Sequence, residues 1–479
     1  MSSAASVMGR LEVGRRGGVL LLAAVMGALT MVPSAPVGAT FARSVGTAML
    51  SAQEPLPAQL SFDQAVERAL ASNPAFLRQI NQVAIAEHAE RESLGSMLPS
   101  LNASLNFNGN TTRTRTAFDE LGRPLEEPDF VETTGSGASQ GLSGGVSLFN
   151  LQALRGYSAS RAQTAVAEAG VELEAARLRT AVGQQYYRAV QRQRLIQVEE
   201  RGLETAREQL DAIGRLLRVA ARQPTDVLGA ELQVARAEQA VAQARGEARK
   251  ATLALNQVMG VQLSARYELA SGFPAVFDPA ALDLADLTER ALRDGPRLEQ
   301  EITAVTAADR SVSAARAARF PSLRGSYSYG RSTSQRGYGA LGDLNPENSS
   351  WGFGLAISVP LFTGFQIGSQ VGRASVQAEN AREMLREARL ALEQEVRAAH
   401  IDLENAYSAV QLAERSVEIA RERLAQGQEQ YRVGTIGYTD LQLMVNDVAQ
   451  NERELINAYF SFANALLQLE EKVGGSIAG

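Results

Sequence analysis

The chain has no cysteine and two lysines, Lys250 and Lys472, and its prolines are missing from Leu151 to Gln223, from Thr225 to Phe273 and from everything after Pro360. The first absence excludes disulfides and acylation at a mature N-terminal Cys, so any membrane attachment must come from the fold. Beyond the N-terminal region no apolar run reaches about eighteen residues, which excludes transmembrane helices but leaves a β-barrel open. Lysine scarcity leaves arginine as the carrier of positive charge, a matter of genome composition. With a formal net charge of −6 and no basic block, nucleic acid is excluded as a partner. His88 and His400 are isolated in amphipathic helices, the methionines are scattered, and no nucleophile elbow or phosphate-binding glycine loop is present. The sequence therefore predicts no enzyme, no metal site and no cofactor.

Three arginines, Arg10, Arg15 and Arg16, precede the apolar run Val19 to Val32, and small residues follow. This reads as a secretory signal peptide over residues 1–39, with Ala52 as a later cleavage alternative. Cleavage after Ala39 leaves a mature charge of −8, since three Arg and one Glu are removed. An uncleaved anchor helix is the competing reading, although the run is short for a span.

The mature chain repeats itself. SFDQAVERALASNP (Ser61 to Pro74) returns as DLADLTERALRDGP (Asp283 to Pro296), and LPSL at Leu98 returns as FPSL at Phe320. Leu148-Phe149 meets Leu361-Phe362, and Thr225-Asp226 meets Thr439-Asp440. The expected domains are a 40–60 linker, a first repeat over 61–260, a linking segment over 261–282, a second repeat over 283–474 and a tail over 475–479.

Each repeat opens with a helix, which Ser61 and Gln64 start with a capping box in the first copy. The period then changes to two. In Leu101 to Asn108, Leu142 to Phe149, Leu323 to Gly330 and Trp351 to Phe362, one face is apolar with aromatics and the other small or polar. Such alternation suits a transmembrane barrel strand, and a half-buried sheet on a soluble core gives the same pattern. The polar stretches Gly109 to Gly141 and Arg331 to Ser350 are expected to be outer loops.

A Pro-free helix over residues 152–218 would be about 100 Å long at ~1.5 Å per residue, beyond any ordinary globular core. In the second copy Val396, Ala399, Leu403, Ala406, Val410 and their successors to Tyr431 form a large/small seam at heptad spacing. The return segment from Leu441 to Val473 keeps similar spacing, broken by Glu452. In the first copy Gln185, Arg192 and Glu199 occupy small-seam positions, so the hairpins are related but not equivalent.

Four strands cannot close a barrel, and an open edge in lipid leaves unpaired backbone groups. Several chains must share one barrel; physics alone permits two, three or four. With the paired ERAL openings, the PSL and LF signatures and YRVGTIGYTDL (Tyr431 to Leu441) assembled, the chain resembles the TolC-type outer-membrane efflux proteins from about Leu60 to Gly474. The resemblance implies a membrane β-barrel plus a long α-helical coiled-coil tunnel, built from two tandem repeats, with four strands per chain in a homotrimer of twelve. It also implies residence in the outer membrane and its lipid, a periplasmic adaptor, and an inner-membrane pump whose type (RND, ABC or MFS) the sequence leaves open. The implied function is the exit channel of a tripartite efflux or type I secretion system; a soluble periplasmic coiled-coil scaffold is the alternative.

By the same resemblance, Asp440 rings the periplasmic aperture, where three carboxylates around one axis favour cations; Asp447, two turns on, lies on the same face and reads either as part of that aperture or as ordinary surface. Capping of the return helix by Thr439 and Asp440 is a compatible reading. Asp226 and Tyr431 stand at positions where family members link the closed entrance. Val219, Ala220, Ala221 and Arg222 in one tip, and Val433, Gly434 and Thr435 in the other, are expected to contact the adaptor. Two departures stand out: Leu443 replaces a second aspartate, and Ile436 replaces an arginine.

Overall fold

The computed structural model describes residues 57–118, 123–218, 224–270 and 272–477. Residues 1–56, which include the expected signal peptide and most of the first linker, lie outside them.

A two-residue strand β1 (Gln59–Leu60) leads into α1 (Phe62–Ser72) and α2 (Pro74–Gly95). Ser61 and Gln64 do form the reciprocal cap, with Gln64 N–H donating to Ser61 Oγ and Ser61 N–H to Gln64 Oε1. Asn73 closes α1 and caps α2 by accepting from the Ala75 and Phe76 N–H groups. Pro74, which has no N–H to lose, takes the first position of α2.

Strands β2 (Ser100–Phe118) and β3 (Pro124–Asn150) follow, then the helical hairpin α3 (Leu151–Arg218) and α4 (Pro224–Met259). The 261–282 segment holds β4 (Glu268–Leu269), parallel to β1, and a 3₁₀ turn at Pro279–Ala281. The second copy repeats the order with α5 (Leu284–Asp294), α6 (Pro296–Ala317), β5 (Ser322–Arg336), β6 (Asn348–Ser358), α7 (Gln366–Arg432) and α8 (Tyr438–Val473). No described helix is long and apolar enough to cross a membrane.

The four long strands form one antiparallel sheet in the order β2-β3-β5-β6. Its register carries the sequence pattern across the whole sheet. Ala103, Leu142, Tyr329 and Trp351 lie in one cross-strand row, while Leu101, Gly144, Tyr327 and Phe353 form the row beneath. The opposite face carries rows such as Asn102, Ser143, Ser328 and Gly352. A bulge between Ser147 and Phe149 brings Phe149 opposite Leu323, so Leu148 and Phe149 both reach the apolar face. That face is open, with Trp351 75% and Ile357 74% exposed.

Strand ends differ from the expectation. The first hairpin was expected to stop near Asn108, but pairing continues to Thr116 opposite Asp129, so most of the anticipated outer loop is strand. Conversely β6 ends at Ser358, short of the expected Phe362, because Pro360 has no N–H for a ladder. Gly364 and Phe365 then take positive φ, 56° and 67°, to turn the chain into α7.

Two apolar clusters sit where the short helices pack on the long hairpins. Leu60, Ala65, Val182, Tyr186, Leu255 and Met259 centre the first, and the Tyr186 hydroxyl donates to Leu60 O at 3.1 Å. Leu287, Leu392, Val396, Leu403, Phe462 and Leu469 centre the second. Ala463 and Leu467 of α8 join the first cluster, so the repeats share a core.

Candidate functional site

The second tip is shaped by a glycine. Helix α7 ends with Gly434 at φ 81°, a left-handed conformation that only glycine adopts cheaply. Thr435 N–H then donates back to Gln430 O at 2.9 Å, and Gly434 N–H to Tyr431 O at 3.1 Å, which satisfies the carbonyls of the last turn. Gly437 is the N-cap of α8, and Asp440, three residues on, accepts its N–H at 3.3 Å. Thr439 is therefore inside the helix, and Asp440 caps from the first turn while remaining exposed.

Tyr438 opens α8 at the position matching Pro224, which opens α4, so Asp226 and Asp440 both sit at the third residue of their helices. The Tyr438 ring lies against Gly229 of α4, where a Cβ would meet its Cε1 at 3.7 Å. Its hydroxyl is buried with no hydrogen-bond partner among the described residues. Burial raises the Tyr438 pKa, and the neighbouring Tyr431 and Asp226 raise it further. Sequence reasoning singled out Asp226 and Tyr431; the structure places Tyr438 within electrostatic reach of both. No sequence signal marked it, because an aromatic at the start of a helix reads as ordinary packing.

Other sequence-selected residues fall differently. Asp447 is engaged by Arg423 of α7 at 2.9 Å. Leu443 is exposed. Val433, Gly434 and Thr435 are exposed at the tip, whereas Val219, Ala220, Ala221 and Arg222 lie outside the described residues.

Above the tips the hairpins are fastened by ion pairs. Glu452, which breaks the apolar beat of α8, receives Arg421 of α7 at 2.5 Å and Arg201 of α3 at 3.1 Å, and its side chain is only 11% exposed. Glu199, one of the odd small-seam residues of α3, receives Arg453 at 2.7 Å. Gln191 and Asn457 add a hydrogen bond at 2.7 Å between the same two helices. These polar residues in apolar seams join one repeat to the other.

The chain thus combines a duplicated strand-pair and long-hairpin architecture with one lipid-suited sheet face. The family model described as outer membrane efflux protein matches residues 65–261 and again 287–475. The chain belongs to that family. Among solved structures, the efflux family member resembles the CmeC outer membrane channel of Campylobacter jejuni with TM-score 0.68 at 17% identity, over 86% of this chain and 85% of that one. It resembles the outer membrane protein VceC of Vibrio cholerae with TM-score 0.66 at 16% identity, over 87% and 96%. The open-state MtrE outer membrane channel of Neisseria gonorrhoeae gives 0.60 at 20% identity, over 87% and 89%. By sequence, Protein CyaE of Bordetella pertussis is 28% identical over 256 residues, 53% of each chain, so the match spans about half the length of that curated relative.

The efflux protein accordingly has the family's fold, four barrel strands set on long helices, in a family whose members complete the barrel with three chains. It resides in the outer membrane and extends into the periplasm, which removes the soluble-scaffold reading. The family is one of channels rather than enzymes, and its members work as trimers with periplasmic adaptors and inner-membrane pumps.

Proposed function

We propose that three copies form a passive exit channel that carries substrates from an inner-membrane pump and its adaptor to the exterior, within a tripartite efflux or type I secretion system. The observation that carries this reading is the sheet. Its apolar face suits lipid, its Ser, Gly and Asn face suits a water-filled lumen, and β2 and β6 leave two edges for neighbouring copies. Residue Asn150 ends β3 and Leu151 begins α3, so the barrel wall runs directly into the tunnel wall.

Within that channel Asp440 is the aperture carboxylate, exposed at the tip of α8. Asp447 contributes less to a ring because Arg423 offsets its charge. Asp226 and Tyr431, now with Tyr438 beside them, supply the links that hold the entrance closed. Val219, Ala220, Ala221 and Arg222, with Val433, Gly434 and Thr435, form the adaptor contacts at the two tips.

The test is single-channel recording of the purified trimer in a planar bilayer. The wild type is expected to conduct with cation preference, and Asp440→Asn to lose much of that preference. Unchanged selectivity would remove the ring, and absence of conductance together with release of the protein by carbonate washing would remove the channel.

A further inference from the structure

The apolar band of the sheet is uneven in height: above the Trp351 row β2 continues it with the exposed Leu105 and Phe107, whereas β3 and β5 turn polar at Gln140 and Arg331. From Ile357 to Trp351 the lipid-facing residues of β6 cover about 20 Å along the strand at ~3.3 Å per residue. At a tilt of ~40° this is about 15 Å of the ~25 Å that a barrel band normally spans, and the exposed Val359, Leu361 and Phe362 continue it below. Below, the band ends at the exposed aromatics Phe149, Phe362 and Phe365, after which the helices begin. Above Trp351, the next row on the same face holds Leu105, Gln140 and Arg331, the row after it Phe107 and Ala138, and Ser136 follows one row higher again on β3. Polar side chains at that height are poorly suited to lipid.

The segment between β5 and β6, residues 337–347, lies over these positions. Gln140 Nε2 donates to Leu344 O at 2.5 Å, and Ala340 N–H donates to Ser136 Oγ at 3.0 Å. Gly337 N–H donates to Thr134 O at 2.8 Å, while the Tyr338 hydroxyl bonds Thr111 at 3.0 Å. At Gly109 a Cβ would stand 3.6 Å from the Tyr338 ring and 3.7 Å from Leu341, so the segment packs closely on β2. With these bonds made, Tyr338, Leu341 and Leu344 remain exposed.

We propose that residues 337–347 form a strap that faces the outer-leaflet lipid and completes the apolar band. It covers Gln140 and Ser136, the polar positions that β3 leaves on the lipid-facing side, and continuity with the lipid-facing rows, Leu105 and Phe107 of β2 included, identifies lipid as its partner. Leu344 sits over the Gln140 row, within the hydrocarbon edge. Tyr338, packed beside Leu341 at Gly109 with its hydroxyl bonded to Thr111, stands at the interface where amphipathic rings gather. Asp343, which accepts the Asn345 N–H at 2.9 Å, keeps the turn at headgroup depth. The proposal rests on the outer-membrane placement of the sheet.

The chain has one tryptophan, Trp351, which supplies an internal standard. The full-length trimer is reconstituted in phosphatidylcholine vesicles brominated either near the top or near the middle of the acyl chains. Wild-type Trp351 emission is expected to be quenched by brominated lipid. In a Trp351→Phe background, Leu344→Trp and, separately, Leu341→Trp are expected to lose most emission to the shallow bromines and little to aqueous iodide. If Trp351 is quenched by lipid while both relocated tryptophans respond to iodide alone, the strap is overturned and the barrel stands. If Trp351 itself is untouched by brominated lipid, the membrane placement fails and the strap fails with it.

Discussion

The Arg201 guanidinium lies 3.1 Å from the Glu452 carboxylate, joining the long helix of the first repeat to the return helix of the second. Arg421 approaches the same carboxylate from the partner helix α7 at 2.5 Å. A position that reads as a flaw in the α8 seam is therefore a junction of three helices. Both arginines are more than half exposed, which moderates the energy of a cluster whose acidic member is nearly buried.

Glu452→Gln is expected to destabilise the helical tunnel by about 1–2 kcal/mol, below the ~3–5 kcal/mol of a fully buried pair because the arginines remain hydrated. Thermal unfolding followed by circular dichroism measures it. In a double-mutant cycle with Arg201→Ala, strict additivity would show that the junction carries no coupling.

A second three-helix junction gives a pH dependence. Glu395 of α7 meets Arg297 of α6 at 2.8 Å and Lys472 of α8 at 3.1 Å. Burial alone raises the Glu395 carboxyl, but the hydrogen bonds and charges of Lys472 and Arg297 outweigh it and hold the pKa below the ordinary value. A depressed carboxylate pKa stabilises the fold fully above the unfolded value of ~4.3, and that contribution is lost as pH falls through the folded value. The melting temperatures of wild type and Glu395→Gln should thus differ at neutral pH and converge in the acid range below about pH 4. A constant gap at all pH values would count against the junction.

At the aperture, Tyr438→Ala, which removes the ring packed on Gly229, and Asp226→Asn are each expected to raise the resting conductance of the closed channel several-fold. Their combination should add little, because both act through one cluster with Tyr431. Resting conductance equal to wild type in both variants would leave the closed tip held by contacts outside this cluster.

Gly434→Ala places a Cβ on a residue at φ 81° and should cost roughly 1–2 kcal/mol locally. Because the tip is the far end of the hairpin, the loss is expected as faster amide exchange in the last turn of α7, with the global melt almost unchanged. Protection of Thr435 N–H equal to wild type would contradict it.

Helix limits were legible because proline and glycine act locally. The helix expected over residues 152–218 differs from α3 by one residue, and Gly434 is left-handed where the turn requires it. Strand limits were less so. Asn110 to Arg115 is polar on both faces, so period two vanishes from the sequence while the backbone ladder continues opposite Thr133 and Phe130. Backbone pairing needs no side-chain alternation once strands are already in register. Tyr438 escaped notice for a different reason: its role depends on α4 lying beside α8, and nothing in either helix encodes that neighbour.

By itself the sequence determined the duplication, the two periodicities and the positions of the tips, since each follows from spacing along one chain and the local geometry of helix, strand and turn. Only the tertiary structure decided what the exceptions do. Glu452 and Glu199 break their seams because arginines from another repeat meet them, and Gln140 and Ser136 stand on an apolar face because a distant loop takes up their hydrogen bonds. A buried or lipid-facing polar group is acceptable only with its partner in place, and that partner is fixed by how the chain folds back on itself, not by what lies next to it in sequence.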